Sequence, residues 1–290
     1  MPAQQIAQNL AYINWTVLVG LGLGSFVAVV VARERAGAPR GYLAFTALCA
    51  AAFAALAWLS DGAIPGAGGG AASGSGAATA GAPRLVTDPL VDQVRSTGLA
   101  VLAISAAAWA IAARRASPSV RFAAAAGLAG GALALAAAAY GWGGGIVPGL
   151  SLLVQLGALS AATGGVFAAM ILGHWYLVSP KLGEQPLVLL SRLLLWVLCF
   201  QLGLFAAWVG TGLGTGTAPF GALVGPWALF VWLRLIVGLV FPLIVSWAAI
   251  QTARTRSMES ATGLLYINVG TIAAGTIVAA GLYFGAGLLT

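Results

Sequence analysis

Residues 228–250 read ALFVWLRLIVGLVFPLIVSWAAI, an apolar run that is interrupted by a single charged side chain, Arg234. A helix needs about 20 apolar residues to cross the hydrocarbon core of a bilayer, because each residue advances it by about 1.5 Å. The run is long enough for one crossing. It therefore predicts a transmembrane helix that carries an arginine within the membrane.

Further runs of this kind occur along the whole chain of 290 residues. Hydrophobic residues make up 61% of the sequence and charged residues 7%, and the mean hydropathy is +0.99. About a quarter of the residues of a soluble domain are charged, so this composition excludes a water-soluble enzyme. We expect an all-α integral membrane protein with eight transmembrane helices, near residues 13–32, 41–59, 97–113, 122–140, 150–177, 187–208, 228–250 and 261–284.

The basic residues of the loops predict the orientation of these helices. Lys and Arg remain on the cytoplasmic side of a membrane, and the even-numbered loops contain only Arg84 and Arg95. Both termini are therefore expected to be extracytoplasmic. A single Lys beside many Arg, Ala and Gly residues is typical of a GC-rich bacterial genome, which favours a multi-pass protein of the bacterial inner (plasma) membrane. The odd-numbered loops carry Arg33, Arg35, Arg40, Arg114, Arg115, Arg121, Lys181, Arg254 and Arg256.

The second loop has two dissimilar parts. Residues 60–88 include a long Gly/Ala/Ser tract, which predicts a flexible outer loop because it has no apolar side chains to bury. Asp88 and Pro89 then form an N-cap and first-turn pair, so the third helix is expected to begin there. Asp92 and Arg95 lie three residues apart on the exposed first turns, which favours a solvated ion pair over a ligand site.

Similar spacings in the two halves indicate an internal duplication. Cys49 is followed by Trp58, and Cys199 is followed at the same spacing by Trp208. Four spans separate the halves, so the copies have the same orientation and form a parallel repeat of two tandem four-helix bundles. The two units would be residues 1–148 and 149–290.

This tandem arrangement resembles that of the heme A synthases and, within each half, the four-helix b-type cytochromes. The resemblance lies in helix number and repeat alone. Those families bind heme through paired histidines, whereas this chain has one histidine, His174. A bis-histidine heme is therefore excluded, and a single-histidine heme, with Met258 as the one protein candidate for the opposite ligand, is disfavoured. No spacing of side chains predicts a metal site.

The polar residues within the spans concentrate in the second unit, while the first reads as a packing scaffold. Gln155, Gln201 and Arg234 are expected at similar depth, near the outer surface. They predict an outward-facing pocket for an anionic or carbonyl-bearing group, such as a quinone, a heme propionate or a carboxylate. The alternative is an arginine that extends to the surface or binds carbonyls of loop 209–226.

A second group of polar side chains is expected at the cytoplasmic ends of the same bundle. In this group His174 would exchange protons with a quinone, Glu259 would relay them, and Arg192 would anchor the ligand. The alternative is that the aromatic residues are interfacial anchors and that Glu259 stabilises the first turn of its helix. The predicted catalytic pair is His174 and Glu259, and the predicted binding residues here are Arg192, Tyr176, Tyr266 and Asn268.

These features favour a membrane subunit of a respiratory electron-transfer complex that binds quinone at the cytoplasmic end of the second bundle. The alternatives are a small-solute or lipid-type transporter and a non-catalytic scaffold or assembly factor. The expected partners are the lipid bilayer and other membrane or periplasmic proteins. Nothing in the sequence indicates nucleic acid, because the basic residues are scattered.

Overall fold

The computed structural model describes residues 2–64, 88–179, 182–214, 216 and 218–290. Within these residues the protein is all-helical, and eight helices are long and apolar enough to cross a membrane. All eight predicted spans are confirmed as helices, which makes the chain a multi-pass membrane protein. The predicted flexible loop lies largely outside the described residues, as do Arg84 and Lys181.

Most of the helices are joined by six residues or fewer, and the longer connections are residues 62–88 and residues 212–227, which include a 3-10 turn at Gly221–Leu223. The seventh span consists of α8 and α9 joined by one π-helical segment, Ile236–Val240, and runs without a break from Ala228 to Arg254. The helices are α1 (Pro2–Gln8), α2 (Leu10–Ala36), α3 (Arg40–Asp61), α4 (Pro89–Arg114), α5 (Val120–Gly143), α6 (Ile146–Val178), α7 (Gln185–Thr211), α8 (Ala228–Leu235), α9 (Phe241–Arg254) and α10 (Met258–Ala286).

Local sequence explains where several helices begin and end. The carboxylate of Asp88 accepts a hydrogen bond from the backbone N–H of Leu90 at 2.9 Å, and Pro89 occupies the first turn, as predicted. Helix α2 ends at Gly37, whose φ of +57° is a left-handed conformation that glycine adopts without steric cost.

Helices α2 and α6 cross at the centre of the molecule with their backbones in contact. A Cβ atom placed on Gly24 would overlap the carbonyl of Ser160, and one on Gly164 would overlap the backbone of Ser25. The Ser25 hydroxyl also donates to the Gly164 carbonyl at 3.2 Å. Lipid tails are as apolar as the side chains, so helix association in a bilayer depends on such close approach of small residues.

The remaining spans surround this central pair. Helix α2 contacts α3, α5, α7 and α10, and helix α6 contacts α7, α10, α3 and α5. The outer helices also pack in sequence, with α4 against α3 and α5, and α9 against α7 and α10. Two further pairs of glycines allow outer helices to approach closely. Gly98 of α4 contacts Gly130 of α5, and Gly238 of the seventh span contacts Gly275 of α10.

The two ends of the bundle differ in chemistry. One end contains loops 37–39, 115–119 and 255–257. Eight arginines lie in these loops or at the adjoining helix ends, and we call this end the basic end. The opposite end holds the last turn of α3 and the first turns of α4, with Asp61, Asp88 and Asp92. Arginines of the basic end are Arg33, Arg35, Arg40, Arg114, Arg115, Arg121, Arg254 and Arg256.

The crossing of α2 and α6 predicts a difference between two neighbouring glycines. Gly164→Ala would force the two backbones apart, and overpacking of this kind costs about 1–3 kcal/mol. Gly165→Ala is the matched control, because a Cβ atom there meets open space. We expect Gly164→Ala alone to lower the free energy of unfolding, measured by titration with dodecyl sulfate in mixed micelles. Equal stability of the two variants would contradict the close contact.

Candidate functional site

Arg234 is buried within the seventh span, near its non-basic end. Its side chain is 2% exposed and lies just before the π-helical segment. One terminal nitrogen donates to the side-chain oxygen of Gln201 at 2.6 Å, and the other donates to the carbonyl of Gly238 at 3.2 Å. The Nε–H has no hydrogen-bond partner among the residues that the structure describes.

The carbonyl that Arg234 uses is available for a simple reason. In a regular helix the Gly238 carbonyl accepts from the N–H four residues later, and that residue is Pro242, which has none. The wider π-helical turn at Ile236–Val240 lies over the same stretch. This backbone irregularity therefore supplies an acceptor to the arginine.

No carboxylate pairs with Arg234 among the residues that the structure describes. Its side-chain partner is Gln201, whose amide in turn donates to the Ala158 carbonyl at 2.7 Å. A buried ion without a counter-ion costs several kcal/mol unless hydrogen bonds satisfy it fully. The positive charge of this site is therefore not neutralised by the described part of the chain.

A narrow cleft adjoins the guanidinium. The side-chain oxygen of Gln155 and the hydroxyl of Thr290, both from this lining, are buried and have no hydrogen-bond partner in the described part of the chain. The cleft has no room for a water molecule, so anything larger would enter only if a side chain such as Trp208 moved. The lining residues are Gln155, Ala158, Leu159, Gln201, Leu204, Trp208, Arg234 and Thr290.

A second buried arginine corrects two expectations. Arg95 was expected in a solvated ion pair with Asp92, but it is 1% exposed. Its Nε lies 2.7 Å from a carboxylate oxygen of Asp61, one terminal nitrogen lies 2.6 Å from Asp92, and its guanidinium is 5.1 Å from the ring centre of Trp142. The first unit is thus not only a packing scaffold, because it also buries a charged network.

The sequence indicated only part of this network. Asp92 and Arg95 lie one helical turn apart, whereas Asp61 is 34 residues before Arg95 and belongs to another helix. The pair is buried because that face of α4 meets the end of α3 and the indole of Trp142 instead of water. A charged residue at the end of an apolar span, as Asp61 is, was the available hint.

At the basic end the structure brings two predicted site residues together. The hydroxyl of Tyr266 lies 3.4 Å from Nδ1 of His174, and both side chains are exposed. A neutral imidazole and a phenol side by side offer one acceptor and one donor to a carbonyl-bearing ligand. Of the six residues predicted to form a site at this end, these two lie in contact with each other.

The other residues predicted for that site lie elsewhere or have structural partners. Tyr176 is buried, and its hydroxyl donates to the Gly183 carbonyl. Asn268 is buried too, and its amide donates to the Ser246 hydroxyl at 2.7 Å. The side chain of Glu259 is exposed and has neither a hydrogen bond nor an ion pair to another described residue.

Arg192 lies in a separate cleft of about 380 Å³ at the basic end, between α2, α7 and α9. Glu184 also lines this cleft and pairs with the exposed Arg256 at 3.0 Å. A hydrogen bond from its own backbone N–H, and then Arg256, lower the pKa of Glu184, so it stays ionised at neutral pH. The lining residues are Arg35, Ala36, Glu184, Gln185, Val188, Leu189, Arg192 and Arg254.

No protein-family model, curated protein or solved structure matches the chain. Among the described residues, no three His, Cys, Asp or Glu side chains lie close enough together to hold a metal ion. The chemistry that the described side chains offer is that of two buried arginines, one His–Tyr pair and two arginine-lined clefts at the basic end, the second of which contains Arg33 and Arg40.

The Arg95 network predicts a large loss of stability when one carboxylate is removed. Asp61→Asn leaves the buried guanidinium short of a counter-charge, and breaking a buried pair in this way costs about 3–5 kcal/mol. Glu184→Gln is the control, because its ion pair with Arg256 is exposed and such pairs contribute about 0–1 kcal/mol. Thermal unfolding in detergent would compare them, and similar melting temperatures would contradict a buried network.

Proposed function

We propose that the chain binds a small, membrane-soluble molecule at Arg234 and serves as a transporter or binding protein for it. One observation carries the proposal, namely the burial of the guanidinium without a carboxylate in the described structure. Charged residues within spans usually face a partner or a pathway, because an isolated charge there is costly. A ligand oxygen would supply the missing partner.

The unpartnered groups of the cleft narrow the class of ligand. The Nε–H of Arg234 can donate to a carbonyl or carboxylate oxygen, and the oxygen of Gln155 can accept from a hydroxyl. A ligand that carries both groups, such as a quinol, a hydroxyquinone or a protonated carboxylic acid, satisfies both side chains. Purely hydrocarbon ligands satisfy neither.

We place the protein in a bacterial inner membrane, with the basic end in the cytoplasm and both termini outside. The distribution of arginines supports this orientation, because Lys and Arg remain on the cytoplasmic side. In that orientation Arg234 lies in the extracytoplasmic half of its span. A ligand would then reach it from the outer leaflet or from the outer aqueous phase.

We also propose that the chain is a parallel repeat of two four-helix units, 1–148 and 149–290. The neighbours of the central helices support the proposal. In this repeat α2 corresponds to α6, α3 to α7, α4 to α8–α9, and α5 to α10. When each helix is replaced by its counterpart, every contact of α2 named above becomes a contact that α6 makes. The same exchange converts the α3–α4 and α4–α5 packing into the α7–α9 and α9–α10 packing.

Burial gives the register of the repeat. Nine of the ten buried residues of α3 have buried counterparts 144 residues later in α7, and the exception is Ala51. The first matched pair is Tyr42 with Pro186, and the last is Asp61 with Phe205. The register of 150 residues that Cys49 and Cys199 suggested does not preserve burial. Both cysteines are at least partly exposed, so they lie outside the face that the two helices share.

The two buried arginines occupy corresponding places in this repeat. The buried residues of α4 from Gly98 onward recur 140 residues later from Gly238 onward, again with one exception, Ala112. Arg95 precedes Gly98 by three residues and Arg234 precedes Gly238 by four. The π-helical segment between Arg234 and α9 accommodates the additional residue, because such a bulge absorbs a single insertion.

The correspondence shows what differs at the two arginines. Asp61 corresponds to Phe205, and Asp92, three residues before Arg95, corresponds to Val231. Both counter-ions of Arg95 are therefore replaced by apolar side chains around Arg234. The first unit uses its arginine for stability, and the second leaves its arginine available for a ligand.

The ligand proposal predicts that Arg234→Met strongly weakens binding. We would add ubiquinone-1, its quinol or decanoate to the purified protein and record thermal unfolding. We expect a saturable rise in melting temperature, largest for the quinol, because it offers both an oxygen and a hydroxyl. Loss of a charged hydrogen bond is worth about 1.5–3 kcal/mol, or about ten- to a hundredfold in Kd.

Two variants sharpen this experiment. Gln155→Leu is expected to remove the preference for quinol over quinone while leaving Arg234 in place. Arg114→Met removes an exposed arginine from the basic end and should leave binding unchanged. Absence of a shift with every probe, or a shift that survives in Arg234→Met, would contradict the proposal.

A second candidate function is quinone binding at the basic end, within a respiratory electron-transfer complex. The exposed pair of His174 and Tyr266 favours it, because imidazole and phenol groups form hydrogen bonds with quinone carbonyls. In this scheme Arg192 and Glu259 would act only after movement, since neither contacts the pair in the described structure.

The second candidate predicts that endogenous quinone is extracted with the purified protein. His174→Ala and Tyr266→Phe are each expected to reduce the extracted amount by up to about tenfold, since each removes a hydrogen bond of about 0.5–1.5 kcal/mol. Tyr140→Phe is the control, because that tyrosine is exposed at the opposite end. Equal quinone content in all of these proteins would exclude the site.

A further inference from the structure

Three arginines from three different helices line the cleft at the basic end. Arg35 lies in the last turn of α2, Arg192 two turns into α7, and Arg254 at the end of α9. All three side chains are exposed, and none has a hydrogen bond or an ion pair to another described residue. The cleft therefore collects three cations without neutralising them.

The one carboxylate of the cleft does not supply the missing negative charge. Glu184 accepts hydrogen bonds from Arg256 at 3.0 and 3.2 Å, and Arg256 itself is not part of the lining. Counting these side chains, the cleft and its immediate surroundings keep an excess of positive charge. Like charges held close together repel one another, and an anion bound between them would relieve that repulsion.

The corresponding junction of the first unit is closed. Twelve of the fourteen buried residues of α2 have buried counterparts 140 residues later in α6, so Arg35 corresponds to Trp175. The register of 144 residues between α3 and α7 pairs Gly41 with Gln185. The Trp175 ring lies directly on Gly41, only 2.6 Å from where a Cβ atom would stand. An aromatic ring thus occupies one junction between the units, while the related junction is open and lined by arginines.

We propose that this open junction binds a phosphate group, supplied by the headgroup of an anionic phospholipid. Arginine binds phosphate through paired N–H donors, and basic clefts between transmembrane helices on the cytoplasmic side receive anionic headgroups. Ala36, Val188 and Leu189 give the cleft an apolar wall beside the charges. A lipid satisfies both parts, with phosphate against the arginines and acyl chains along the helices.

The test compares two sources of phosphate on the purified protein. Dioleoyl phosphatidylglycerol or inorganic phosphate is added in detergent, with dioleoyl phosphatidylcholine as the neutral lipid, and thermal unfolding is recorded. We expect phosphatidylglycerol to raise the melting temperature saturably and phosphatidylcholine to have no such effect. The half-saturating concentration should rise with salt, since screening weakens the attraction.

Variants assign the effect to this cleft. The triple substitution Arg35→Gln, Arg192→Gln and Arg254→Gln is expected to raise the half-saturating concentration at least about tenfold. Its control, Arg114→Gln, Arg115→Gln and Arg121→Gln, removes the same charge from the same end of the bundle and should bind as the original protein does. Arg35→Trp, which imitates the closed junction, should also lose binding and is the less disruptive variant.

Each outcome decides the proposal. A shift with phosphatidylglycerol that the cleft variants alone abolish supports it. A shift with inorganic phosphate alone, lost in the same variants, overturns the lipid assignment and leaves a site for a free anion. Absence of any shift, or equal loss in both triple variants, overturns the site itself. Arg234→Met should not alter this result, so failure here is distinguishable from failure of the ligand site at Arg234.

Discussion

The contact between the backbones of α2 and α6 is the constraint on which the rest of the structure depends. Apolar side chains gain little by leaving apolar lipid, so these helices associate only where their surfaces meet without a gap. Gly24 and Gly164 remove the side chains that would hold the axes apart. Every other span packs directly or indirectly on this pair, and therefore the two candidate clefts take their shape from it.

Hydropathy was sufficient to predict the spans, because a helix in lipid must be apolar over its whole length. The buried arginine at position 95 was not predictable, since Asp61 and Trp142 approach it from other helices. Motif spacing also did not give the register of the proposed repeat. Cys49 and Cys199 lie partly on the lipid-facing surface, where many apolar side chains are equivalent, whereas the buried face is constrained by packing.

The two candidate sites also differ in how much of them the sequence could predict. Counting residues from the membrane surface placed Gln155, Gln201 and Arg234 at one depth, and the structure brings the three to one cleft. Counting could not predict which helix faces meet at the basic end. There His174 meets Tyr266, while Arg192 faces away from them toward a cleft of its own. The depth of a residue in the membrane follows from its position along the helix. The neighbour that its side chain faces depends on how the helices pack.

The π-helical segment Ile236–Val240 has an evolutionary consequence. If the two units descend from one ancestor, the additional residue entered by insertion, and a wide turn confined its effect to five residues. Helix α9 could then keep its packing against α10 while the preceding helix turned relative to it. The insertion alone would then have turned the duplicated arginine toward new neighbours. No substitution of those neighbours would have been needed first.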